Sequence, residues 1–230
     1  MNPPKPATAH TTAEHQRCTE HLDFADRSDF ERVTRGRLAT LEPPVINGAS
    51  GRPVWDLGPF QFLADDCPPT VNPSLWRQAQ LNANHGLFEV VPGIYQVRGY
   101  DISNITFVRS DAGWIVIDPL TVAETAAAAR QMVDSHFGAR PIVAIIYTHS
   151  HLDHFGGVRG IVSEAEVADG KVQIIAPYGF LEAAVSENVI AGPAMRRRAM
   201  YMYGLLLPNT AEAHVDCGLG KRMPFGTSGL

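Results

Sequence analysis

The stretch "YTHSHLDHFGG", Tyr147 to Gly157, decides how this chain is to be read. It sets His149, His151, Asp153 and His154 between an apolar β-branched run, "PIVAII" (Pro141 to Ile146), and a glycine pair. Imidazole nitrogen and carboxylate oxygen are both zinc ligands, at roughly 2.0–2.2 Å. His149 and His151 lie two apart, so they reach one ion only where an extended strand gives way to a turn. A short loop then aims Asp153 and His154 at a second ion, ~3.5–4 Å away as in two-metal hydrolases. Gly156-Gly157 is expected to let the backbone turn closely into a following helix. A solvated, His-rich turn is the plainer alternative. It does not account for four potential ligands in H-x-H-x-D-H order directly after a buried strand.

Working outward, "PIVAIIYTHS" is a continuous apolar run, as expected of a strand covered on both sheet faces that delivers the histidines at its C-terminal end. Upstream, "GIYQVRG" (Gly93 to Gly99), "SNITFVRS" (Ser103 to Ser110) and "GWIVID" (Gly113 to Asp118) read as a meander, with Asp111-Ala112-Gly113 as its last turn. "TVAETAAAARQMVDSHF" (Thr121 to Phe137) predicts a helix with Thr121 and Glu124 as a capping box and Val122, Ala126, Ala129, Val133 and Phe137 near one face. A strand over 171–176 and a helix from Tyr178 to about Ile190 follow.

Residues 1–85 differ. Proline pairs (Pro3-Pro4, Pro43-Pro44, Pro68-Pro69) break the segment into pieces, and two helical stretches stand out. One runs from about Ala13 to Leu41. The other is "NPSLWRQAQLNANHG", where Asn72 caps, Pro73 takes the first helical position and Gly86 ends the run. The expected division is therefore an N-terminal arm, 1–85, packed on a domain spanning 86–230.

With 230 residues and 45% apolar composition the chain has enough material for a buried core. Its 19 basic and 24 acidic residues suggest no nucleic-acid or membrane partner recruited by bulk charge, and a small-molecule partner is expected instead. Cys18, Cys67 and Cys217 form neither a disulfide framework nor a C-x-x-C site. No secretory leader and no apolar run of spanning length is visible, so a cytoplasmic protein is expected.

"THSHLDHFGG" matches the T-H-x-H-x-D-H-x-G-G signature of the metallo-β-lactamase fold, and Asp118 matches the acidic residue which that fold carries upstream, near the metal ligands. The segments "NPSLWRQAQLN", "GLFEVVPGIYQVRGYDISNITFV", "GWIVIDPL", "SENVIAGPAMRRRAMYMYG" and "LGKRMPFGTSGL" extend the likeness. Together they resemble the linear primary-alkylsulfatases, the SDS-hydrolase group within that fold. The resemblance implies an α/β (α+β) chain, specifically the N-terminal half of an αββα sandwich with an extended arm. It also implies zinc-dependent hydrolysis of primary alkyl sulfates of the dodecyl sulfate type to alcohol and sulfate. Metal ligands would be His149, His151, Asp153 and His154, with Asp153 also catalytic, Asp118 supporting the ligands and two Zn²⁺ ions in a complete site. Members of that group are longer, with two glutamates and a histidine downstream completing the site, and they dimerise. On that comparison the present chain is expected to be a fragment.

Alternatives remain open at this level. Another hydrolase of the same fold, such as a thioesterase, lactonase or β-lactamase, fits the motif equally, and so does a catalytically silent chain with a partial metal site. His214, with Cys217 nearby, is a candidate substitute ligand, its alternative a core or surface histidine. In "AMRRRAMYMYG", Arg196, Arg197 and Arg198 are flanked by methionine and tyrosine: Met195, Met200, Tyr201, Met202 and Tyr203. They read either as a wall for an alkyl chain with a cation for sulfate or as a solvated basic helix face. Asn104 reads as a strand-end residue or a substrate contact.

Overall fold

The computed structural model describes residues 5–229; Pro3-Pro4 and Leu230 lie outside the described residues. Its centre is one mixed seven-stranded sheet, in which β1 (Arg37–Ala39) is followed in order by six later strands, beside a two-stranded hairpin of β2 (Val45–Asn47) and β3 (Pro53–Asp56). The predicted meander forms as antiparallel β5 (Ile94–Arg98), β6 (Ile105–Arg109) and β7 (Trp114–Ile117), preceded by a further antiparallel strand, β4 (Gly86–Val91). Helix α4 (Ala123–Phe137) then crosses to β8 (Ile142–Ile146), which pairs parallel with β7; α5 (Glu164–Ala168) leads to β9 (Gln173–Ile175), parallel with β8. The chain is thus mixed α/β, with one sheet of the expected sandwich among the described residues.

Alternation explains the strands. On β5 and β6, Tyr95, Val97, Ile105 and Phe107 are buried while their neighbours are half-exposed. Against this face α4 packs Ala126, Ala129 and Val133, all fully buried. Phe137 closes the cluster, tilted on Tyr95 at 4.4 Å and near Trp114. β8 is less covered than its composition suggests: Ile142 and Ile145 are buried, but Val143, Ala144 and Ile146 are only half-buried.

Several local expectations change. The helix expected over Ala13 to Leu41 is three elements, α1 (Ala9–His21), α2 (Ser28–Thr34) and β1 (Arg37–Ala39). Asp23 and Asp26 accept backbone N–H bonds from Ala25, Asp26 and Ser28, which stabilises turns in place of helix. β1 is strand because it pairs with β4, Arg37 against Phe88 and Ala39 against Leu87. The second arm helix, α3 (Pro73–Asn82), starts as expected, with the Asn72 side chain accepting from Ser74 N. Gly86 opens β4 instead of ending α3, at φ +124°. Trp55, Phe60, Leu63, Trp76 and Ala79 of the first 85 residues belong to the same apolar cluster as Leu87, Val97 and Tyr100.

The capping box before α4 is absent. The N-cap is Val122, without a side-chain cap. The Thr121 backbone N–H donates to Asp101 Oδ2 at 2.7 Å and its hydroxyl to Oδ1 at 2.9 Å. Glu124 instead accepts from the N–H and hydroxyl of Thr227. The helix expected from Tyr178 to about Ile190 is α6 (Phe180–Val185) running into a wide π turn (Ser186–Ile190), and a separate helix, α7 (Gly192–Met202), follows it. Among the described residues no helix is long and apolar enough to cross a membrane.

Candidate metal centre

β7 and β8 run parallel, and their C-terminal ends carry Asp118 and Thr148-His149 side by side, where an open parallel sheet presents its ligand crevice. Asp118 has φ +55° and Leu120 φ +64°; two non-glycine residues in the left-handed region mark a backbone held by its surroundings. What holds Asp118 is explicit. Thr148 N donates to Oδ1 (2.8 Å), Thr148 Oγ1 to Oδ2 (2.7 Å) and His154 Nδ1 to Oδ2 (2.8 Å). Burial opposes its charge, but these bonds outweigh it and keep the carboxyl below its ordinary pKa.

The chain of donors extends to His149. The Thr148 hydroxyl spends its proton on Asp118, so at 3.0 Å it accepts from His149 Nδ1–H. His149 Nε2 then carries the lone pair, and it faces His151 Nδ1 at 3.0 Å. Burial first, then the neighbouring imidazoles, lowers the His149 pKa and favours this neutral form. His154 behaves oppositely. Its Nδ1 meets Asp118 and its Nε2 lies 3.2 Å from Asp153 Oδ2. Against the cost of burial, the two carboxylates push its pKa up to about 9. Asp153 is held low by the same contacts despite its burial.

The donor chemistry suits zinc. Two imidazole nitrogens 3.0 Å apart are near the ~3.3 Å edge of a tetrahedron with 2.0–2.1 Å arms. Among the described residues, no three such side chains already form a cage, because both nitrogens of His154 are turned onto carboxylates. Metal entering there would displace the imidazolium proton, the usual exchange at a histidine site.

The loop is seated by close backbone contact. A Cβ on Gly157 would lie 2.2 Å from Pro119 O and 2.7 Å from Val122 O, and one on Gly156 2.4 Å from Thr121 O. The glycine pair is therefore needed for proximity to the start of α4; Gly157 has an ordinary φ of −88°, and 3₁₀ turns follow it instead of a helix. Ser103 Oγ donates to the Asp153 carbonyl, tying the β5–β6 loop to the ligand loop.

A cleft of about 340 Å³ opens beside His151 and Asp153, its other lining including Ile102, Glu187, Met195, Arg196, Tyr203 and Met223. Arg196 is thus the arginine of the triplet that reaches the cleft; Arg197 and Arg198 do not line it, and Tyr201 is 80% exposed. Asn104 lines a separate small pocket with Arg98 and Asp101. His214 is buried elsewhere, 2.5 Å from Lys221 O and edge-on to Phe60. Cys217 Sγ donates to Gly220 O. Nearby, Lys221 pairs with buried Asp216 at 3.0 Å and donates to Ala79 O, anchoring the last segment on α3.

Sequence reasoning missed Glu187, whose Oε1 lies 3.5 Å from His151 Nε2, and buried Asp101, which holds Thr121. Neither has a spacing relation to the histidine motif.

Residues 98–210 match the Metallo-beta-lactamase superfamily. An (R)-specific secondary-alkylsulfatase from Pseudomonas sp is 53% identical over 94% of this chain, and a linear primary-alkylsulfatase from Pseudomonas sp is 50% identical over 97%. The solved structure of a stereoselective inverting sec-alkylsulfatase from Pseudomonas sp. superposes with a TM-score of 0.93 at 51% identity, covering 99% of this chain and 36% of that one. This chain is an alkylsulfatase relative with the metallo-β-lactamase fold. It spans about a third of the length of the curated relatives it matches, 33% of each of the two named.

Proposed function

We propose that the His149–His154 cluster of this alkylsulfatase relative is a zinc centre for hydrolysis of alkyl sulfate esters, with primary, dodecyl-type sulfates as substrates. The observation that carries this is the convergence of His149 Nε2 and His151 Nδ1 beside the Asp118–His154–Asp153 group, at the mouth of a cleft with apolar walls. His149, His151, Asp153 and His154 would hold the metal, which supplies Lewis acidity and an activated water when bound. The chain's own residues do the rest. Asp118 orients His154 directly and His149 through Thr148. Arg196 offers a cation to the anionic sulfate end, while Met195, Ile102 and Met223 offer soft apolar surface to the tail. The partner on this reading is a small alkyl sulfate, and the compartment the cytoplasm.

Zinc content of metal-loaded, desalted protein, with dodecyl sulfate and a secondary alkyl sulfate assayed on the same sample, tests the proposal. Two zinc ions per chain with faster primary turnover supports it. A second reading, a partial centre without turnover, is favoured by the commitment of both His154 nitrogens to carboxylates. One zinc or fewer and no hydrolysis supports that reading.

A further inference from the structure

We propose that Glu187 is a positioning residue for this centre: its carboxylate draws the ring proton of His151 to Nε2 and so leaves the Nδ1 lone pair facing His149. The proposal rests on the zinc reading above. Glu187 Oε1 lies 3.5 Å from His151 Nε2, and both residues line the same cleft. The wide turn Ser186–Ile190 places it there, closed by Ala191 N–H donating to Ser186 O at 2.9 Å and by Asn188 Nδ2 donating to Ala184 O at 2.9 Å. Such single wide turns insert one residue into a helix and recur at functional sites.

The two outer contacts together decide what stands between the rings. Thr148 fixes His149 with its proton on Nδ1, so Nε2 is a lone pair. Were His151 to carry its proton on Nδ1, it would donate across the 3.0 Å gap to His149 Nε2, and the pair would satisfy itself with neither nitrogen free for a ligand. A negative oxygen beside Nε2 favours the other tautomer. The two lone pairs then converge on one point, an arrangement that a cation between them relieves. Carboxylates behind metal-binding histidines act in this way, and removing one typically costs about 10–100-fold in metal affinity.

The test compares Glu187→Ala and Glu187→Gln with the wild-type chain in two measurements. In metal-free, mildly alkaline samples, long-range ¹H–¹⁵N spectra read the tautomer of each histidine ring. Zn²⁺ affinity comes from competition with a chromogenic chelator. The expected result is a wild-type His151 protonated mainly at Nε2 and a shift toward Nδ1–H in Glu187→Ala, with zinc binding weakened about 10–100-fold. Glu187→Gln keeps an acceptor oxygen and stays nearer wild type in both. An unchanged His151 tautomer and unchanged zinc affinity in Glu187→Ala overturn the proposal. The two readings separate cleanly. If wild-type protein binds no zinc but the tautomer shifts as described, the zinc reading fails and the positioning stands. If His149→Ala abolishes zinc binding while Glu187→Ala alters neither quantity, the zinc reading stands and the positioning fails.

Discussion

The ligand loop lies between two regions, one wall on either side, that are built in opposite ways. One, where β7, β8 and the start of α4 meet the ligand loop, is closed by backbone against backbone, and Val116, Leu120, Val122 and Ile145 are at most 1% exposed. The other, running through β9, α6, the wide turn and α7, leaves apolar side chains in the open: Ile174, Ile175, Leu181, Val189 and Met202 are exposed, and Ile190 is 76% exposed. The first wall is specified by close packing, in which a single methylene is felt. The second is specified by helix-forming sequence and a few hydrogen bonds, so its side chains can change with little effect on the fold.

The largest contrast should appear between two isoleucines. Ile145→Ala empties a fully buried site in β8 and is expected to cost about 2–5 kcal/mol, whereas Ile190→Ala in the wide turn should stay within about 0.5 kcal/mol. Denaturant unfolding of the two variants measures both, and equal losses would erase the distinction between the walls. Glycines sharpen it next. Gly157→Ala forces a methyl against two carbonyls and should cost about 1–3 kcal/mol. At Gly192 a methyl meets nothing within 4 Å, and Gly192→Ala should be neutral or gain up to about 1 kcal/mol from helix propensity. Asp118→Asn, in the packed wall, should cost about 1–3 kcal/mol through unsatisfied donors on Thr148 and His154. Zinc affinity measured on the same variant should fall about 10–100-fold.

A separate effect is one of pH. Burial, opposed by bonds from Thr121 and Ile102, pushes the Asp101 carboxyl from 3.8 up to about 7. A carboxyl that titrates higher in the folded state binds more protons there, so its contribution to stability is full below the unfolded value and is lost as pH rises through about 7. Between pH 4 and pH 7, wild-type stability should therefore fall relative to that of Asp101→Asn. A difference between the two unfolding curves that does not change over this range would remove Asp101 from the packed wall's electrostatics.

Elements were legible where the physics is local. Strands β5 to β8 follow from alternating or continuous β-branched runs, and α3 from an asparagine cap followed by proline. The turns at Asp23 and Asp26 had a local signal too, two aspartates three residues apart, each able to accept from the backbone N–H two residues on, which an assumption of continuous helix overrode. The supposed capping box failed for a different reason: the Thr121 hydroxyl had a better acceptor in Asp101, twenty residues upstream and fully desolvated.

The candidate site divides along the same line. The sequence by itself determined which donors are present and in what order, because His149, His151, Asp153 and His154 lie close together in a loop after an apolar strand, and a parallel direction of that strand with β7 is consistent with an intervening helix. Only the tertiary structure decided their states. Asp118 is thirty residues from Thr148 and Glu187 lies beyond another strand, yet their oxygens set which nitrogen of each ring holds a proton. Tertiary structure also sent Arg196 to the cleft and His214 to a buried contact with Lys221. Ligand identity is a property of spacing along the chain; protonation, orientation and access depend on neighbours brought together through space, which no local pattern encodes.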